Sequence, residues 1–425
     1  MKKNLYPMSF KLIKKSKKSS ARLGEITTKH GVIQTPCFMP IATCGSVKSV
    51  DSAEMKKIGA QIILGNTYHL YLRPTDKLIK KLGGLHKFMN WDGPILTDSG
   101  GYQVFSLVKM RKISEKGVEF KSHIDGSRHM LTPEKSIEIQ QNLGSDIVMV
   151  LDECAPYPAS KEYIKKSLEM TTRWAKRCKE YFEKSQIPNL ACRQAGPKSQ
   201  INSKTQISNF EQLPTSKFPA QGWSASGGKI PNSLLFGIVQ GGTYKDLREE
   251  SAKQLLSIDF DGYAIGGVSV GEPSKKMFKV VDWTVPFLPE DKPRYLMGVG
   301  KPEEILGAVA MGIDMFDCVI PTRNARHGTL YKFKVQSSKF KVKDEKLKVK
   351  NGNAGFYEML RITNEKFKSD KKPIDKNCGC FTCQNYSRAY LRHLFMAKEL
   401  LALRLASIHN IYFYLELMKR IRNSV

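Results

Sequence analysis

Short apolar runs recur along the chain, and small or polar residues follow each of them. The runs occupy residues 37–41, 62–65, 95–97, 147–151, 236–239, 263–265, 295–298 and 315–320. Uninterrupted apolar runs are typical of parallel strands buried on both faces, whereas strands with one solvated face alternate. We therefore predict that these eight runs are parallel strands.

Amphipathic helical stretches lie between several of the runs. They cover residues 133–143, 160–184, 244–258 and 302–311, and the first begins with Thr132 as N-cap and Pro133 at the first helical position. Eight buried strands separated by helices predict an α/β fold, a (β/α)8 TIM barrel. Ahead of the first run, residues 22–43 alternate and turn near His30, which predicts an N-terminal antiparallel hairpin.

The last run predicts a buried strand that ends in a basic loop. Met315, Asp317 and Val319 would share one strand face. Burying an Asp between apolar neighbours costs free energy unless its carboxylate is paired with a cation or serves a function. One interpretation is a buried Asp satisfied by a cation; the other is a carboxylate aimed at a ligand that Arg323 and Arg326 hold.

Polar residues and glycines follow most of the predicted strands. They are Asn66, Asp98, Asp152, Gln240, Gly266, Gly267, Gly298 and Asp317. Active sites of (β/α)8 barrels form at the carboxyl ends of the strands, so we expect these residues to meet at one rim. The alternative is that they are ordinary strand-ending turn residues.

Size and charge narrow the class of protein. The chain has 425 residues, 41% of them apolar, enough for one large barrel with additions. Its net charge of +29 favours a polyanionic partner, although a solvated basic surface is the alternative. No apolar run reaches transmembrane length and no apolar signal core follows the basic N-terminus, so we expect a cytoplasmic protein without a membrane partner.

Two segments do not fit the alternation of strands and helices that predicts the barrel. Residues 191–231 are rich in polar residues, Pro and Gly, so we expect a disordered insertion at the amino-terminal rim whose deletion leaves activity intact. Residues 332–350 predict a lysine-faced hairpin at the active rim, which either holds nucleic acid or is a solvated decoration. We thus divide the chain into the barrel with its hairpin (1–331), a lysine-rich insertion (332–360) and a zinc-binding subdomain with a closing helix (361–425).

Three of the nine cysteines, Cys378, Cys380 and Cys383, cluster within six residues. With one imidazole from His393 or His409 they would complete a tetrahedral zinc site, and four protein ligands make such a site structural. Unligated thiols are the alternative. A final helix near residues 399–420 would pack back on the barrel.

The strand-end residues also suggest a pocket for a purine. Asp98 is followed by glycines that allow close approach of a ligand, and Tyr102 can stack on a flat ring. Asp152 and Gln240, with backbone N–H groups near Gly267, suit the polar edge of guanine. Two further carboxylates could exchange a base at a glycosidic bond with retention, one attacking the sugar carbon and the other managing the proton.

Several long motifs occur in a characteristic order. They are DSGGYQ at 98–103, FGIVQGG at 236–242, YLMGVGKP at 295–302, FDCVIPTR at 316–323 and the Cys-x-Cys-x2-Cys group. From about residue 9 to the C-terminus the chain resembles the bacterial tRNA-guanine transglycosylase family. The segments 191–231 and 332–350 look like insertions relative to that family.

The resemblance implies a role for each matched residue. Asp317 would be the nucleophile and Asp98 the general acid/base, acting on the wobble guanosine of tRNAs with a GUN anticodon. The residues that would bind the base are Ser99, Gly100, Gly101, Tyr102, Asp152, Gln240, Gly267, Val268 and Met297. The residues that would bind tRNA are Gly298, Val299, Gly300, Lys301, Pro302, Glu303, Glu304, Thr322, Arg323, Asn324, Ala325 and Arg326.

The resemblance also implies the cofactor and partners. The zinc ligands would be Cys378, Cys380, Cys383 and His409, which leaves His393 as an ordinary helix residue. Val270 matches the bacterial pattern, which suits 7-aminomethyl-7-deazaguanine, a precursor of queuosine, rather than bulky queuine. Members of the family act as homodimers without nucleotide cofactors.

Two other functions compete with this interpretation. One is a non-catalytic, zinc-bearing RNA-binding subunit on the same barrel, which would need neither Asp98 nor Asp317. The other is a glycoside hydrolase, which would use a carboxylate pair but needs neither a purine pocket nor the charge of +29.

Overall fold

The computed structural model describes residues 9–107, 111–186, 233–334 and 355–425. The strands are β1 (Phe10–Lys15), β2 (Arg22–Thr28), β3 (Gly31–Thr35), β4 (Cys37–Met39), β5 (Ile41–Ala42), β6 (Ile63–Gly65), β7 (Ile95–Thr97), β8 (Arg111–Ser114), β9 (Gly117–Lys121), β10 (Arg128–Leu131), β11 (Ile147–Met149), β12 (Leu234–Val239), β13 (Gly262–Ile265), β14 (Arg294–Leu296), β15 (Met315–Asp317), β16 (Thr329–Phe333) and β17 (Tyr357–Arg361). The helices are α1 (Ser52–Lys57), α2 (Thr67–Leu72), α3 (Asp76–Lys81), α4 (Gly84–Met89), α5 (Gly101–Leu107), α6 (Pro133–Leu143), α7 (Lys161–Gln186), α8 (Lys245–Ile258), α9 (Ser274–Thr284), α10 (Pro302–Ala310), α11 (Ile320–Arg326), α12 (Phe381–Asn385), α13 (Arg388–Met396) and α14 (Leu400–Ser424).

The predicted (β/α)8 barrel is confirmed. A parallel sheet of nine strands runs in the order β4-β15-β14-β13-β12-β11-β7-β6-β5. The first predicted run is split in two at Pro40: β4 pairs with β15, whereas β5 pairs with β6. Proline lacks the N–H that a continuous strand would use here. The two halves of the first barrel strand therefore pair with the last strand, β15, and the second strand, β6.

The predicted helices are present with nearly the expected bounds. Thr132 caps α6 by accepting a hydrogen bond from the Lys135 backbone N–H, and Pro133 occupies the first turn. The long charged helix is α7, the helix after β12 is α8, and α10 follows the glycine-rich loop after β14. These helices cover the outside of the sheet, whose strands are buried on both faces.

The predicted N-terminal hairpin is confirmed and extended. Strands β2 and β3 pair across a turn in which Thr28 faces Gly31. Strand β1 adds a third antiparallel strand on the other side of β2. We did not predict β1, because its lysine-rich sequence buries only Phe10 and so carries no clear alternation.

The segment after β15 is helical, which corrects the predicted basic loop. Strand β15 ends at Asp317, and Val319 has backbone angles of φ −77° and ψ −12°. Val319 therefore does not share a strand face with Met315 and Asp317. Pro321 lies in the first turn of α11, where its fixed φ favours a helix start. The two arginines of this segment lie on that helix.

A second antiparallel sheet was not predicted. Strands β8, β9 and β10 form it between α5 and α6, on the side of the barrel where the strands end. Strands β16 and β17 pair antiparallel, with Thr329 opposite Arg361. The proposed insertion at 191–231 and most of the proposed lysine hairpin, residues 335–350, lie outside the described residues.

The carboxyl-terminal part packs against the barrel as expected. Helices α12 and α13 contact α14, and α14 in turn contacts α11, β4 and β16. The Tyr414 hydroxyl donates to the Gly300 carbonyl at 2.6 Å, and the Asn410 amide donates to the Pro321 carbonyl at 3.0 Å. The described residues contain no helix long and apolar enough to cross a membrane.

Candidate active site and metal centre

Asp317 is the last residue of β15 and is buried at the carboxyl rim of the barrel. Its Oδ1 accepts a hydrogen bond from the Tyr295 hydroxyl at 2.5 Å and another from the Gly298 backbone N–H at 2.8 Å. Burial raises the pKa of Asp317, and these two donors oppose the rise by stabilising the carboxylate. Both contacts involve Oδ1, so the second oxygen carries no hydrogen bond from the described residues.

Asp98 follows β7 directly and is also buried. Its Oδ2 accepts from the Asn66 and Gln103 side-chain amides at 2.5 and 2.6 Å, and its Oδ1 accepts from the Thr67 backbone N–H at 2.8 Å. Burial raises the pKa of Asp98 to about 6; the three donors lower it, and the negative charge of Asp317 raises it. The two carboxyl groups therefore lie close enough to interact electrostatically.

Asp152 lies beyond the end of β11, beside the loop that follows β12. Its Oδ2 accepts from the Gln240 amide at 2.6 Å, and the Ser99 hydroxyl lies 3.4 Å from its Oδ1. Burial raises the pKa of Asp152 to about 6, and the Gln240 and Ser99 donors oppose it. The strand-end residues thus meet at one rim, as predicted.

Glycines bring backbone close to this pocket. A Cβ at Gly101 would lie 2.6 Å from the Asp152 carbonyl oxygen, and a Cβ at Gly267 would lie 2.3 Å from the Gln240 Oε1. Gly267 also has φ +63°, a region that favours glycine. A larger residue at Gly101 would clash with the Asp152 backbone, and one at Gly267 would clash with the Gln240 side chain.

Tyr102 stands at the mouth of the pocket with half of its surface exposed, whereas Val268 is buried and Met297 is half-buried. Burial raises the pKa of the Tyr102 hydroxyl, the charge of Arg323 lowers it and that of Asp317 raises it, so Tyr102 lies near both groups. Tyr102 therefore offers a flat apolar face beside Asp317.

The residues expected to bind tRNA fall into an exposed, a half-buried and a buried group. Lys301 and Arg323 are exposed, and Gly298, Asn324 and Arg326 are half-buried. The others are buried: Val299, Gly300, Pro302, Glu303, Glu304, Thr322 and Ala325. A buried side chain cannot reach a nucleic acid without rearrangement. The accessible members of the set lie in the loop after β14 (Gly298, Lys301) and on helix α11 (Arg323, Asn324, Arg326).

Several of these residues already have protein partners. Glu303 accepts from the Tyr357 hydroxyl at 2.6 Å, and Glu304 accepts from Ser274 at 2.5 Å and Lys301 at 2.9 Å. In contrast, the Nη1 atom of Arg326 is buried and has no hydrogen-bond partner among the described residues.

Three residues outside the predicted site set hold the carboxylates: Tyr295, Gln103 and Thr67. Tyr295 lies on a barrel strand and is fully buried. A buried hydroxyl requires a hydrogen-bond partner, so a tyrosine within a predicted buried strand was the feature of the sequence that could have indicated its role. Gln103 lies five residues after Asp98, in the motif at 98–103, and Thr67 acts through its backbone N–H.

The cysteine cluster and one histidine form a candidate metal centre. The Nδ1 atom of His409 lies 3.9, 3.5 and 3.3 Å from the sulfurs of Cys378, Cys380 and Cys383. The four ligand atoms all lie within 4.8 Å of one another. His393, the other histidine that the sequence left open, is exposed on α13 and is not part of this group.

The donor set fits a tetrahedral soft-metal site. The Nε2 of His409 lies 2.6 Å from the Tyr331 carbonyl oxygen, which orients the ring and leaves Nδ1 as the free lone pair. Three sulfurs and one imidazole nitrogen are the ligands that zinc prefers in structural sites.

The fold and these sites together define a (β/α)8-barrel protein with buried carboxylates, Asp98, Asp152 and Asp317, at the carboxyl rim of the barrel, and a Cys3His cluster in its carboxyl-terminal part. A family model described as queuine tRNA-ribosyltransferase matches residues 16–425. The chain belongs to that family.

Curated relatives with the name queuine tRNA-ribosyltransferase match nearly the whole chain. The relative from Caldanaerobacter subterraneus subsp. tengcongensis is 50% identical over 418 residues, 98% of this chain and 93% of its own length. The Desulforamulus reducens relative is 47% identical over 99% of this chain and 95% of its own length. A Staphylococcus aureus relative is 48% identical over 98% of this chain and 92% of its own length.

Proposed function

We propose that this protein is a tRNA-guanine transglycosylase that exchanges the wobble guanine of GUN-anticodon tRNAs for 7-aminomethyl-7-deazaguanine, a step in queuosine biosynthesis. The observation that carries the proposal is the meeting of Asp98 and Asp317 at one rim, within electrostatic range of each other. Family membership supports the tRNA substrate, and the site supports chemistry at a glycosidic bond. Because tRNA is the substrate, we place the reaction in the cytoplasm.

Asp317 is the nucleophile of this proposal. One of its oxygens attacks the ribose C1′ of the target nucleotide, and the bond from C1′ to guanine N9 breaks with its electron pair passing to the base. The product is a covalent aspartyl-ribosyl tRNA and free guanine. The Tyr295 hydroxyl and Gly298 N–H hold the other oxygen and so orient the carboxylate.

Asp98 is the general acid/base. It supplies a proton to the departing guanine and takes one from the incoming base, whose nitrogen then attacks C1′ and releases the Asp317 carboxylate. A pKa of about 6 suits a group that must exist in both forms near neutral pH. Two displacements at the same carbon retain its configuration.

The base is held by its edge and its faces. Asp152 accepts from the ring N–H and the exocyclic amine, while Gln240 and the Gly267 N–H donate to the 6-carbonyl. Tyr102 and Met297 sandwich the ring, and Val268, Ser99, Gly100 and Gly101 complete the pocket. Flipping a base out of its stack costs about a few kcal/mol, which these contacts must recover. Val270 leaves room for a small 7-substituent.

The tRNA lies on the rim beside Asp317. Lys301 and Arg323 are exposed and contact phosphates or unpaired bases, and the unpartnered Nη1 of Arg326 is available to an RNA oxygen after a small movement. Gly298 and Asn324 line the same groove. The buried members shape the loop after β14 and helices α10 and α11; they are Val299, Gly300, Pro302, Glu303, Glu304, Thr322 and Ala325.

One zinc ion per subunit binds Cys378, Cys380, Cys383 and His409. Four protein ligands leave no open position, so the ion is structural. A second copy of the chain binds next to this subdomain: Phe381 and Tyr390 are exposed there, and the Tyr386 and Tyr390 rings stack at 5.4 Å. Exposed aromatic patches of this kind are typical of protein interfaces, which supports a homodimer.

The experiment that tests the proposal is exchange of radiolabelled guanine into a GUN-anticodon tRNA, with 7-aminomethyl-7-deazaguanine and queuine as competing bases. We expect incorporation of label, its displacement by the aminomethyl base, and weak competition by queuine. A non-catalytic RNA-binding subunit would bind tRNA without incorporation. A glycoside hydrolase would neither bind tRNA nor incorporate label.

A further inference from the structure

Arg248 is a fully buried cation behind the base pocket, and the reaction described above does not use it. It lies in the first turn of α8 and has no exposed surface. Burial lowers its pKa to about 9, so the guanidinium remains protonated at neutral pH. No salt bridge to Arg248 occurs in the described ranges; Glu272 acts on it only as a nearby charge. Burying a charge without a paired carboxylate costs free energy, so other contacts must stabilise the guanidinium.

The guanidinium is held entirely by backbone carbonyls. Nη1 donates to the carbonyls of Val239 and Gly266 at 2.9 and 2.8 Å, and Nε donates to that of Gly242 at 2.8 Å. Nη2 lies 3.4 Å from the carbonyl of Gly267. Arg248 thereby joins the loop after β12 to the loop after β13, and these loops carry the two groups that we assign to the 6-carbonyl of the base.

The same two loops contact each other through the Gln240 side chain. A Cβ at Gly266 would lie 2.8 Å from the Gln240 Nε2, and Gln240 donates to Asp152 at 2.6 Å. The Gln240 backbone N–H also donates to Ser251, which lies on the same helix as Arg248, at 3.1 Å. Arg248, the glycine backbone, Gln240 and Asp152 therefore form one connected network.

The hydrogen bonds of Arg248 act on the groups that face the base. The Gly266 carbonyl belongs to the same peptide unit as the Gly267 N–H, so a donor on the carbonyl makes that N–H a stronger donor in turn. A fixed cation behind the peptide also favours negative charge on the base as the bond to C1′ breaks. Removing the guanidinium would weaken both effects while leaving the exposed cations Lys301 and Arg323 in place.

We infer that Arg248 is a positioning residue that sets selectivity for a base with a 6-carbonyl, acting through the Gly266–Gly267 peptide. The inference rests on the proposed function. Its chemical consequence is specific: Arg248 strengthens binding of guanine but not of 2-aminopurine, which keeps the exocyclic amine but lacks the carbonyl oxygen and the N1–H. The missing N1–H faces Asp152 in the wild type and the variant alike, so its effect cancels when the two proteins are compared.

The test compares the dissociation constants of guanine and 2-aminopurine for the wild-type protein and Arg248→Met, with 2-aminopurine fluorescence as the direct readout. We expect guanine binding to weaken about tenfold and 2-aminopurine binding to change less than about twofold. Arg248→Lys keeps the charge without the planar fork, so its loss should be intermediate. The matched control is Lys253→Met, which removes an exposed cation from the same helix and should change neither constant.

Equal losses for the two bases would reduce Arg248 to a structural residue and overturn the inference, as would an unchanged guanine constant. If Arg248→Met does not fold, the same comparison is made with Arg248→Lys, for which an unchanged base preference is the contrary result. Wild-type guanine exchange separates this test from the proposed function. A wild-type protein that exchanges guanine, with a variant that keeps its base preference, contradicts only the role of Arg248.

Discussion

At the scale of single residues, Asp98 shows the conflict between stability and chemistry most clearly. Its carboxyl is buried, and its pKa of about 6 lies above the value of 3.8 that is usual for Asp. Between these two values the folded state binds more protons than the unfolded state. The free energy of unfolding therefore rises as the pH falls from about 6 to about 4, and above pH 6 the ionised carboxylate destabilises the fold.

We predict that Asp98→Asn abolishes base exchange and raises the free energy of unfolding at pH 8 by about 1–3 kcal/mol. The Asn66 and Gln103 amides can rotate to accommodate the new amide. Urea unfolding at pH 8 and pH 4 measures the effect, which should vanish at pH 4. The control is Asp92→Asn: the Lys56 hydrogen bond lowers the pKa of exposed Asp92, so this change should be slightly destabilising at pH 8. Destabilisation by Asp98→Asn at both pH values would contradict the account.

The strand-end carboxylates and the strand-end partners Asn66 and Gln240 were predictable from sequence, whereas Tyr295 and Arg248 were not. Asp98 follows an apolar run and Asp317 ends one, and such positions in a barrel face the active rim. Tyr295 and Arg248 act through contacts between different strands and helices. Local sequence does not encode those contacts, because they depend on which neighbours the closed barrel brings together.

At the scale of elements, helix α14 connects the metal centre to the active rim. His409 belongs to the Cys3His cluster, the next residue Asn410 holds the Pro321 carbonyl, and Tyr414 holds the Gly300 carbonyl. Pro321 begins the arginine-bearing helix and Gly300 lies in the loop after β14. Loss of the metal should therefore disturb tRNA binding more than base binding.

We predict that His409→Ala loses zinc and lowers the melting temperature by about 5–10 °C. It should weaken tRNA binding by about tenfold or more while leaving the dissociation constant of free guanine nearly unchanged. Metal analysis, thermal unfolding and fluorescence anisotropy with labelled tRNA provide the measurements. His393→Ala is the matched control, because His393 is exposed and outside the cluster. A His409→Ala protein with full zinc content, or with guanine and tRNA binding weakened alike, would speak against this linkage.

Elements with regular apolar patterns were predicted well, and irregular ones were missed. The buried barrel strands and helix α6 match their predicted positions closely because burial on both faces and an N-cap leave clear signals. Strands β8 to β10 bury few side chains, among them Val118, Phe120 and Leu131, between charged and polar residues. Their pairing depends on the loop in which they lie, which periodicity does not reveal.

At the scale of the whole molecule, the two ends of the barrel carry different groups. The N-terminal sheet lies at the amino-terminal end, where Arg22 pairs with Asp314 just ahead of β15. The carboxylates, the exposed cations of the rim and helix α11 lie at the other end. The split of the first strand at Pro40, which closes this barrel, was not predicted because both halves belong to one apolar run.

The net charge of +29 predicts strongly salt-dependent tRNA binding. Only cations that touch phosphate contribute to the slope of log affinity against log salt. Arg323→Ala should reduce that slope by about 1. Lys14→Ala removes an exposed cation from strand β1 at the opposite end and should leave the slope unchanged. Equal effects of the two variants would indicate that tRNA binds non-specifically over the whole basic surface.

The role of Asp317 as nucleophile is the central claim, and trapping the covalent intermediate tests it most directly. Wild-type protein incubated with GUN-anticodon tRNA, without free base, should give a slower band in a denaturing gel, and added guanine should discharge that band. Asp317→Asn should bind the same tRNA in anisotropy measurements but form no such band. A covalent adduct with Asp317→Asn, or guanine exchange by the wild-type protein with no adduct, would contradict the account.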